Sequence, residues 1–205
     1  MRSKRFYAVL VAILRFPLFL IYRYKIINKN NMPMEGRYII ACNHISGPDC
    51  IFVGLGQKRQ IRYMAKAELF ENPFLGWFFT KLGAFAVNRG KGDFGAINSA
   101  KDMIENGDAL GIFIEGTRSK TGEFLKPKSG AVMLAHQMDC KIIPCSISCK
   151  GIKPSFWKRK YVHFGDPVTV EELGITKASP REYRDASRKL MDIIADLRKQ
   201  DIGCA

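Results

Sequence analysis

Short apolar runs of β-type composition alternate with helical segments, and this alternation is the feature that most restricts the fold. The β-type runs lie at 37–43, 61–66, 84–87, 109–114, 141–149 and 160–165. Between them, Asn72 and Pro73 have the composition of a helix start, and Ser179 with Glu182 forms a capping box. Strands that alternate with helices predict a single α/β domain with a mixed, largely parallel sheet flanked by helices.

The amino-terminal segment is both basic and strongly apolar. No acidic residue precedes Glu35, whereas seven bases do, and residues 6–22 read FYAVLVAILRFPLFLIY. This combination is typical of a helix at a membrane interface, where bases meet anionic headgroups. Arg15 and Pro17 disfavour a spanning helix, and no small-x-small site follows for signal cleavage, although both alternatives stay open. We expect residues 1–30 to form an amphipathic membrane-anchoring helical segment.

The whole chain is strongly basic, with 33 Lys and Arg against 19 Asp and Glu and a net charge of +14. Such an excess favours an anionic partner, which is nucleic acid, a membrane surface or a phosphorylated substrate. The sequence contains no recognisable nucleic-acid module, so no nucleic-acid partner is expected. The six cysteines show no CxxC spacing, and no metal is expected.

The segment NHISGPDC (43–50) places His44 five residues before Asp49. In a continuous helix these side chains would diverge, but Gly47 and Pro48 indicate a turn that can bring them together. A carboxylate bonded to Nδ1–H fixes the imidazole tautomer and leaves Nε2 as a base. The alternative interpretation is an ordinary loop histidine and a helix-start acid.

No nucleophile motif accompanies this pair, since G-x-S-x-G and H-E-x-x-H are both missing from the sequence. The pair is therefore predicted to activate a hydroxyl of the substrate itself. His136 and His163 fall within an apparent helix and an apparent strand, and we interpret both as structural.

Two arginines follow strands, each beside a glycine: Arg89 in GAFAVNRG and Arg118 in GIFIEGTRS. In an open α/β sheet, ligands bind beyond the carboxyl ends of the strands. Two guanidinium groups at that edge can clamp a phosphate through charge-assisted hydrogen bonds. The alternative is two surface loops that carry a salt bridge.

Taken in order, four blocks resemble the glycerolipid acyltransferases, most closely the 1-acylglycerol-3-phosphate (lysophosphatidate) acyltransferases. The blocks are His44-x4-Asp49, the strand before Arg89, Phe113-x-Glu115-Gly116-Thr117-Arg118-Ser119 and Ile142-Ile143-Pro144-Cys145. The resemblance spans roughly residues 36–165. Ile114 stands where the family usually has proline, and Ala86 and Asn88 also depart from it, which affects the expected acceptor rather than the reaction class.

The resemblance implies a role for each matching residue. His44 would be the general base and Asp49 its orienting partner. Arg89, Arg118 and Lys66 would bind the phosphate of the acceptor; Glu115, Gly116 and Thr117 would shape that site; and Pro144 would lie beside the acyl donor.

The same resemblance implies transfer of a fatty acyl group to lysophosphatidic acid, which makes phosphatidic acid. The donor would be acyl-CoA or acyl-acyl-carrier protein, a co-substrate, and no cofactor is expected. Residues 31–205 would form the acyltransferase domain, and 1–30 would hold it at the cytoplasmic face of the cell membrane as a peripheral or monotopic protein that contacts anionic lipids. The alternatives are another acceptor, such as glycerol 3-phosphate or a different lysophospholipid, or a non-catalytic basic binder of nucleic acid or anionic membranes.

Overall fold

Helices and strands alternate along the residues that the computed structural model describes, which are 4–57, 59–87, 94–149 and 158–203. The helices are α1 (Lys4–Tyr22), α2 (Asp49–Leu55), α3 (Pro73–Leu82), α4 (Phe94–Glu105), α5 (Gly130–Gln137) and α6 (Pro180–Gly203). The strands are β1 (Lys25–Ile27), β2 (Tyr38–Cys42), β3 (Ile61–Lys66), β4 (Ala84–Val87), β5 (Ala109–Phe113), β6 (Lys141–Cys149) and β7 (Lys160–Phe164). Two short 3₁₀ helices lie at Lys29–Asn31 and Ala67–Phe70.

The strands form one sheet in the order β1-β7-β6-β2-β5-β3-β4. Neighbouring strands are parallel except β6 and β7, which pair antiparallel. The sequence-based prediction of an α/β domain with a mixed, mostly parallel sheet is therefore confirmed. Because β2, β3 and β5 run in the same direction, their carboxyl ends meet at one edge of the sheet.

Helices cover both faces of the sheet and form two core layers. Successive residues of β2 point to opposite faces, so Ile39 packs with α4, α5 and α6, whereas Ile40 packs with α2. The whole of β2 is buried, which explains why its sequence is a continuous apolar run rather than an alternating one. Residues that follow β2 therefore emerge from the most rigid part of the domain.

The amino-terminal residues pack against this domain. The Tyr7 hydroxyl donates to the carbonyl of Gly54 over 3.3 Å, and the Arg15 guanidinium donates to the carbonyl of Leu55 over 3.0 Å. β1, which the sequence did not predict, pairs with β7 at the edge of the sheet. Residues on both sides of the boundary predicted at residue 30 thus contact one sheet, and the division into 1–30 and 31–205 stays a prediction.

Within the described residues, no helix combines the length and the hydropathy that a membrane crossing requires.

Two predicted helix starts have the expected capping bonds. The side chain of Asn72 accepts hydrogen bonds from the backbone N–H groups of Phe74 and Leu75 at the start of α3. At the start of α6, Ser179 and Glu182 exchange side-chain to backbone hydrogen bonds of 3.2 and 3.3 Å. These caps fix where α3 and α6 begin, and α3 borders the cavity described below.

Candidate active site

The structure brings His44 and Asp49 together at the carboxyl end of β2. Nδ1 of His44 lies 2.9 Å from Oδ2 of Asp49, whose side chain is fully buried. The same carboxylate accepts the backbone N–H groups of Ile45 (2.8 Å) and Ser46 (2.7 Å), as well as the Ser46 hydroxyl. The turn at Gly47 and Pro48 folds the first residue of α2 back onto the loop, which is the geometry that the sequence predicted.

This contact determines the chemical state in which His44 can act. With the Nδ1–H directed at Asp49, the other ring nitrogen, Nε2, is left as a hydrogen-bond acceptor. The imidazole is 16% exposed, so it can meet a substrate without being free to rotate in solvent. An oriented and partly shielded imidazole of this kind is suited to general-base catalysis.

Two contacts that the sequence analysis missed hold His44 in place. Its ring stacks on Phe113 of β5, with centroids 3.9 Å apart and planes at 13°. Asn43, which is buried, pairs with the backbone of Ile147 in β6 through bonds of 2.9 and 2.7 Å, as a strand residue would. The sequence did not indicate either contact, because the residues that meet lie on or next to different strands.

The loop after β5 is bonded to the loop after β2. Oε1 of Glu115 accepts the backbone N–H of His44 (3.2 Å), Oε2 accepts that of Leu125 (3.4 Å), and the N–H of Ser119 donates to the carbonyl of His44 (2.8 Å). Burial raises the pKa of Glu115 to about 7, against the lowering effect of these two N–H donors. Glu115 thus contacts the backbone of His44, rather than the cavity described below.

Two basic side chains, Arg118 and Lys66, line the same cavity as His44. A Cβ atom added to Gly47 would lie 3.6 Å from Nη1 of Arg118, so the guanidinium passes beside the loop that carries His44. Gly116, at φ +72°, makes the turn that presents the exposed Thr117 and Arg118. Lys66 lies at the end of β3 and is about half exposed. Its Nζ is 3.0 Å from Oε1 of Glu68.

Two other predicted site residues are Arg89 and Pro144. Arg89 lies outside the described residues. Pro144 is buried in β6, and the alternation of that strand directs it to the face of Ile142, which packs with α5 and α6. Pro144 is not among the residues that line the cavity beside His44, and its position next to the acyl donor stays a prediction.

A cavity of about 740 Å³ opens onto His44. Its polar wall includes His44, Lys66, Thr117 and Arg118. Its apolar wall includes Val11, Leu14, Ile51, Leu55, Phe79 and Leu82, from α1, α2 and α3. The cavity therefore combines basic, hydrogen-bonding side chains with apolar ones, as a ligand with an anionic head and a hydrocarbon chain would require.

Tyr63 lines the same cavity and was missed by the sequence analysis. A Cβ atom at Gly111 would come within 2.2 Å of the Tyr63 ring, so the tyrosine occupies a space that only glycine leaves open. The ring lies 5.8 Å from that of Phe113, at 19°. Among the described residues its buried hydroxyl has no hydrogen-bond partner.

Among the described residues, no group of three or more His, Cys, Asp or Glu side chains is arranged to hold a metal ion.

Two curated sequences are similar to this chain over much of its length. A 1-acyl-sn-glycerol-3-phosphate acyltransferase of Bacillus subtilis (strain 168) is 37% identical over 123 residues, which cover 60% of this chain and 61% of the relative. The enzyme of that name from Saccharomyces cerevisiae (strain ATCC 204508 / S288c) is 33% identical over 187 residues, 86% of this chain and 60% of the relative. The chain thus spans about three fifths of the length of these two relatives.

The fold has a counterpart among solved structures. The crystal structure of the 1-acyl-sn-glycerophosphate (LPA) acyltransferase from Thermotoga maritima superposes with a TM-score of 0.69 at 20% identity, covering 96% of this chain and 77% of that one. The family model named Acyltransferase matches residues 23–148, which include the His44–Asp49 pair, the loop with Arg118 and most of the cavity wall. The chain therefore belongs to the Acyltransferase family.

Proposed function

We propose that this chain transfers a fatty acyl group from an acyl thioester to the free hydroxyl of 1-acylglycerol 3-phosphate, and so makes phosphatidic acid for phospholipid synthesis. The observation that carries the proposal is that the His44–Asp49 pair opens into a cavity lined by both basic and apolar side chains. The named relatives support the same acceptor.

The proposed mechanism begins with the acceptor. Its phosphate binds Arg118, with Lys66 and Arg89 as further cations, and its free hydroxyl meets Nε2 of His44. His44 takes the hydroxyl proton while the oxygen attacks the thioester carbonyl. The tetrahedral intermediate collapses with loss of the thiolate, which receives the proton from the imidazolium. A positioned base of this kind contributes roughly 10²–10⁴-fold to the rate.

Asp49 contributes by orientation and by charge. It holds the imidazole in the tautomer that exposes Nε2, and it stabilises the imidazolium that forms during attack. Because Asp49 also binds two backbone N–H groups of the loop, the base and the loop move as one unit. Glu115 supports this unit from the side of β5 through the backbone N–H of His44.

The apolar part of the cavity is proposed to hold acyl chain. Side chains of α1 and α3 form its walls, and these two helices also carry large apolar side chains on their outer surfaces. We propose that the protein binds the cytoplasmic face of the cell membrane as a peripheral or monotopic protein, with its amino-terminal residues against anionic lipids. A lipid acceptor would then reach His44 without crossing water.

The decisive assay uses the purified full chain with lysophosphatidic acid and with each donor, acyl-CoA and acyl-acyl-carrier protein, in separate reactions. We expect thiol release matched by phosphatidic acid with at least one donor. Glycerol 3-phosphate and a lysophosphatidylcholine serve as competing acceptors, and faster turnover of either would replace the proposed acceptor. Thiol release without any acylated lipid would contradict the proposal of acyl transfer.

A further inference from the structure

The outer surface of α1 is apolar although it faces away from the domain. The inner stripe, which packs on the core or lines the cavity, contains Tyr7, Val11, Leu14, Leu18 and Tyr22. On the opposite side of the helix, Val9, Ile13, Phe16 and Leu20 are 52–69% exposed. A helix at a water surface carries polar residues on its outer side. Nothing in the packing of the described residues requires this second apolar stripe.

A second exposed apolar surface lies on α3, more than fifty residues later in the chain. Phe74 is 71% exposed and Trp77 is 50% exposed. Trp77 contacts Phe6 of α1 edge-on, with ring centroids 5.7 Å apart, and Nζ of Lys81 lies 5.8 Å from the Phe6 ring centroid. The exposed surfaces of α1 and α3 therefore meet at the Phe6–Trp77 contact.

The charges of the two helices indicate what covers this surface. Neither α1 nor α3 contains Asp or Glu, whereas they contain Lys4, Arg5, Arg15 and Lys81. The Arg15 guanidinium bonds to the carbonyl of Leu55, which takes it off the outer stripe. Tryptophan and lysine beside exposed aliphatic side chains are typical of the headgroup level of a bilayer, and the basic charge favours a bilayer that contains anionic lipids.

We propose that α1 and α3 together form one membrane-docking face, in which Trp77 and Phe74 enter the leaflet beside the outer stripe of α1. The inference deepens the proposed function and rests on it, because the same two helices wall the cavity that would receive the lipid. Tyr7 and Leu14 line that cavity from α1, and Phe79 and Leu82 line it from α3. Docking by both helices would therefore bring both walls of the cavity to the lipid surface.

Fluorescence of Trp77 tests the depth of α3 directly. The chain has two tryptophans, so Trp157→Phe leaves Trp77 as the sole emitter in the full chain. On addition of vesicles of phosphatidylcholine with phosphatidylglycerol, we expect its emission to shift to the blue and brominated acyl chains to quench it. Tight vesicle binding without a shift or quenching would overturn the role of α3.

Substitution gives a second readout. Phe74→Ser with Trp77→Ser is expected to weaken partitioning to these vesicles roughly tenfold or more, since two aromatic side chains lose apolar surroundings. Ile97→Ser, which alters an exposed apolar residue of α4 on the other face of the sheet, is the matched control and should bind as the native chain does. Equal binding by the double variant and the control would contradict the proposal.

Two further measurements separate this inference from its alternatives. If a second copy of the chain covered the face, the double variant would convert a dimer to a monomer in sedimentation without loss of vesicle binding, which would overturn membrane docking. Acyl transfer to acceptor dispersed in detergent should be unchanged in the double variant. If the native chain transfers no acyl group in that assay, the proposed function fails, while the fluorescence result still decides whether α3 enters the leaflet.

Discussion

Oε1 of Glu115 accepts a hydrogen bond from the backbone N–H of His44, at 3.2 Å. The bond joins the loop after β5 to the loop after β2, and the Ser119 N–H to His44 carbonyl bond runs parallel to it. A buried carboxyl group that accepts hydrogen bonds from the backbone N–H groups of both His44 and Leu125 helps to hold the loop that carries the base. The Glu-Gly-Thr-Arg segment therefore serves two purposes, support of His44 through Glu115 and presentation of Arg118.

Glu115→Gln tests this support through stability and pH. With a folded-state pKa of about 7 against an ordinary 4.5, Glu115 keeps a proton in the folded chain that the unfolded chain loses. The contribution of Glu115 to the free energy of unfolding is therefore fully present below pH 4.5. It falls between pH 4.5 and about pH 7, and it is lost above that range. Urea unfolding across this range should show a smaller decline for Glu115→Gln than for the native chain. An identical decline would contradict the assignment of this titration to Glu115.

Asp49→Asn should reduce kcat strongly while leaving acceptor affinity nearly unchanged. The amide can no longer hold the Nδ1–H tautomer and stabilise the imidazolium, so Nε2 ceases to be an oriented base. Ser46→Ala is the matched control, since it removes a hydroxyl bond to the same carboxylate but leaves the His44 contact. Similar losses in the two variants would indicate that Asp49 matters only for the shape of the loop.

Arg118→Ala should chiefly raise the KM for lysophosphatidic acid, by about tenfold, because one charge-assisted set of hydrogen bonds to phosphate is lost at an exposed site. Lys120→Ala, two residues away and also exposed, provides the control for a general loss of positive charge. Initial rates over a range of acceptor concentrations separate KM from kcat. An unchanged KM in Arg118→Ala would exclude the guanidinium from the phosphate site.

Gly111→Ala should destabilise the domain and displace Tyr63 from the cavity wall. The added Cβ would lie 2.2 Å from the Tyr63 ring, and relief of such a clash in a packed core costs about 1–3 kcal/mol. Gly130→Ala, at the start of α5, has no atom within 4 Å of the added Cβ and should be neutral or slightly stabilising. Thermal unfolding of both variants gives the comparison, and equal stability would show that Tyr63 moves without cost.

The strands and the capping of α3 and α6 could be predicted because their signals are local, as with Asn72 and the Ser179–Glu182 box. β1 could not be predicted, because three residues are too few to show a periodic pattern. The strand is defined by its pairing with β7, which is distant in the sequence. The spacing of His44 and Asp49 predicted their contact because Gly47 and Pro48 force a turn between them.

Contacts between strands that are far apart in the sequence could not be predicted. Asn43 binds the backbone of Ile147, and Phe113 stacks on His44, and each pairing depends on strand order in the sheet. The face of the sheet on which Pro144 lies could not be predicted, because its motif does not indicate how β6 pairs with its neighbours. The residues of the inner stripe of α1 recur at helical spacing, which is a recognisable pattern. Because the outer side of α1 is also apolar, the pattern did not show which side packs on the domain.

The most direct test of the account is the rate of thiol release and phosphatidic acid formation by purified His44→Ala, measured beside the native chain under identical conditions. We predict that circular dichroism and thermal unfolding stay close to native, while transfer falls by a factor of roughly 10²–10⁴. Transfer by folded His44→Ala at a rate near that of the native chain would contradict the assignment of His44 as the base.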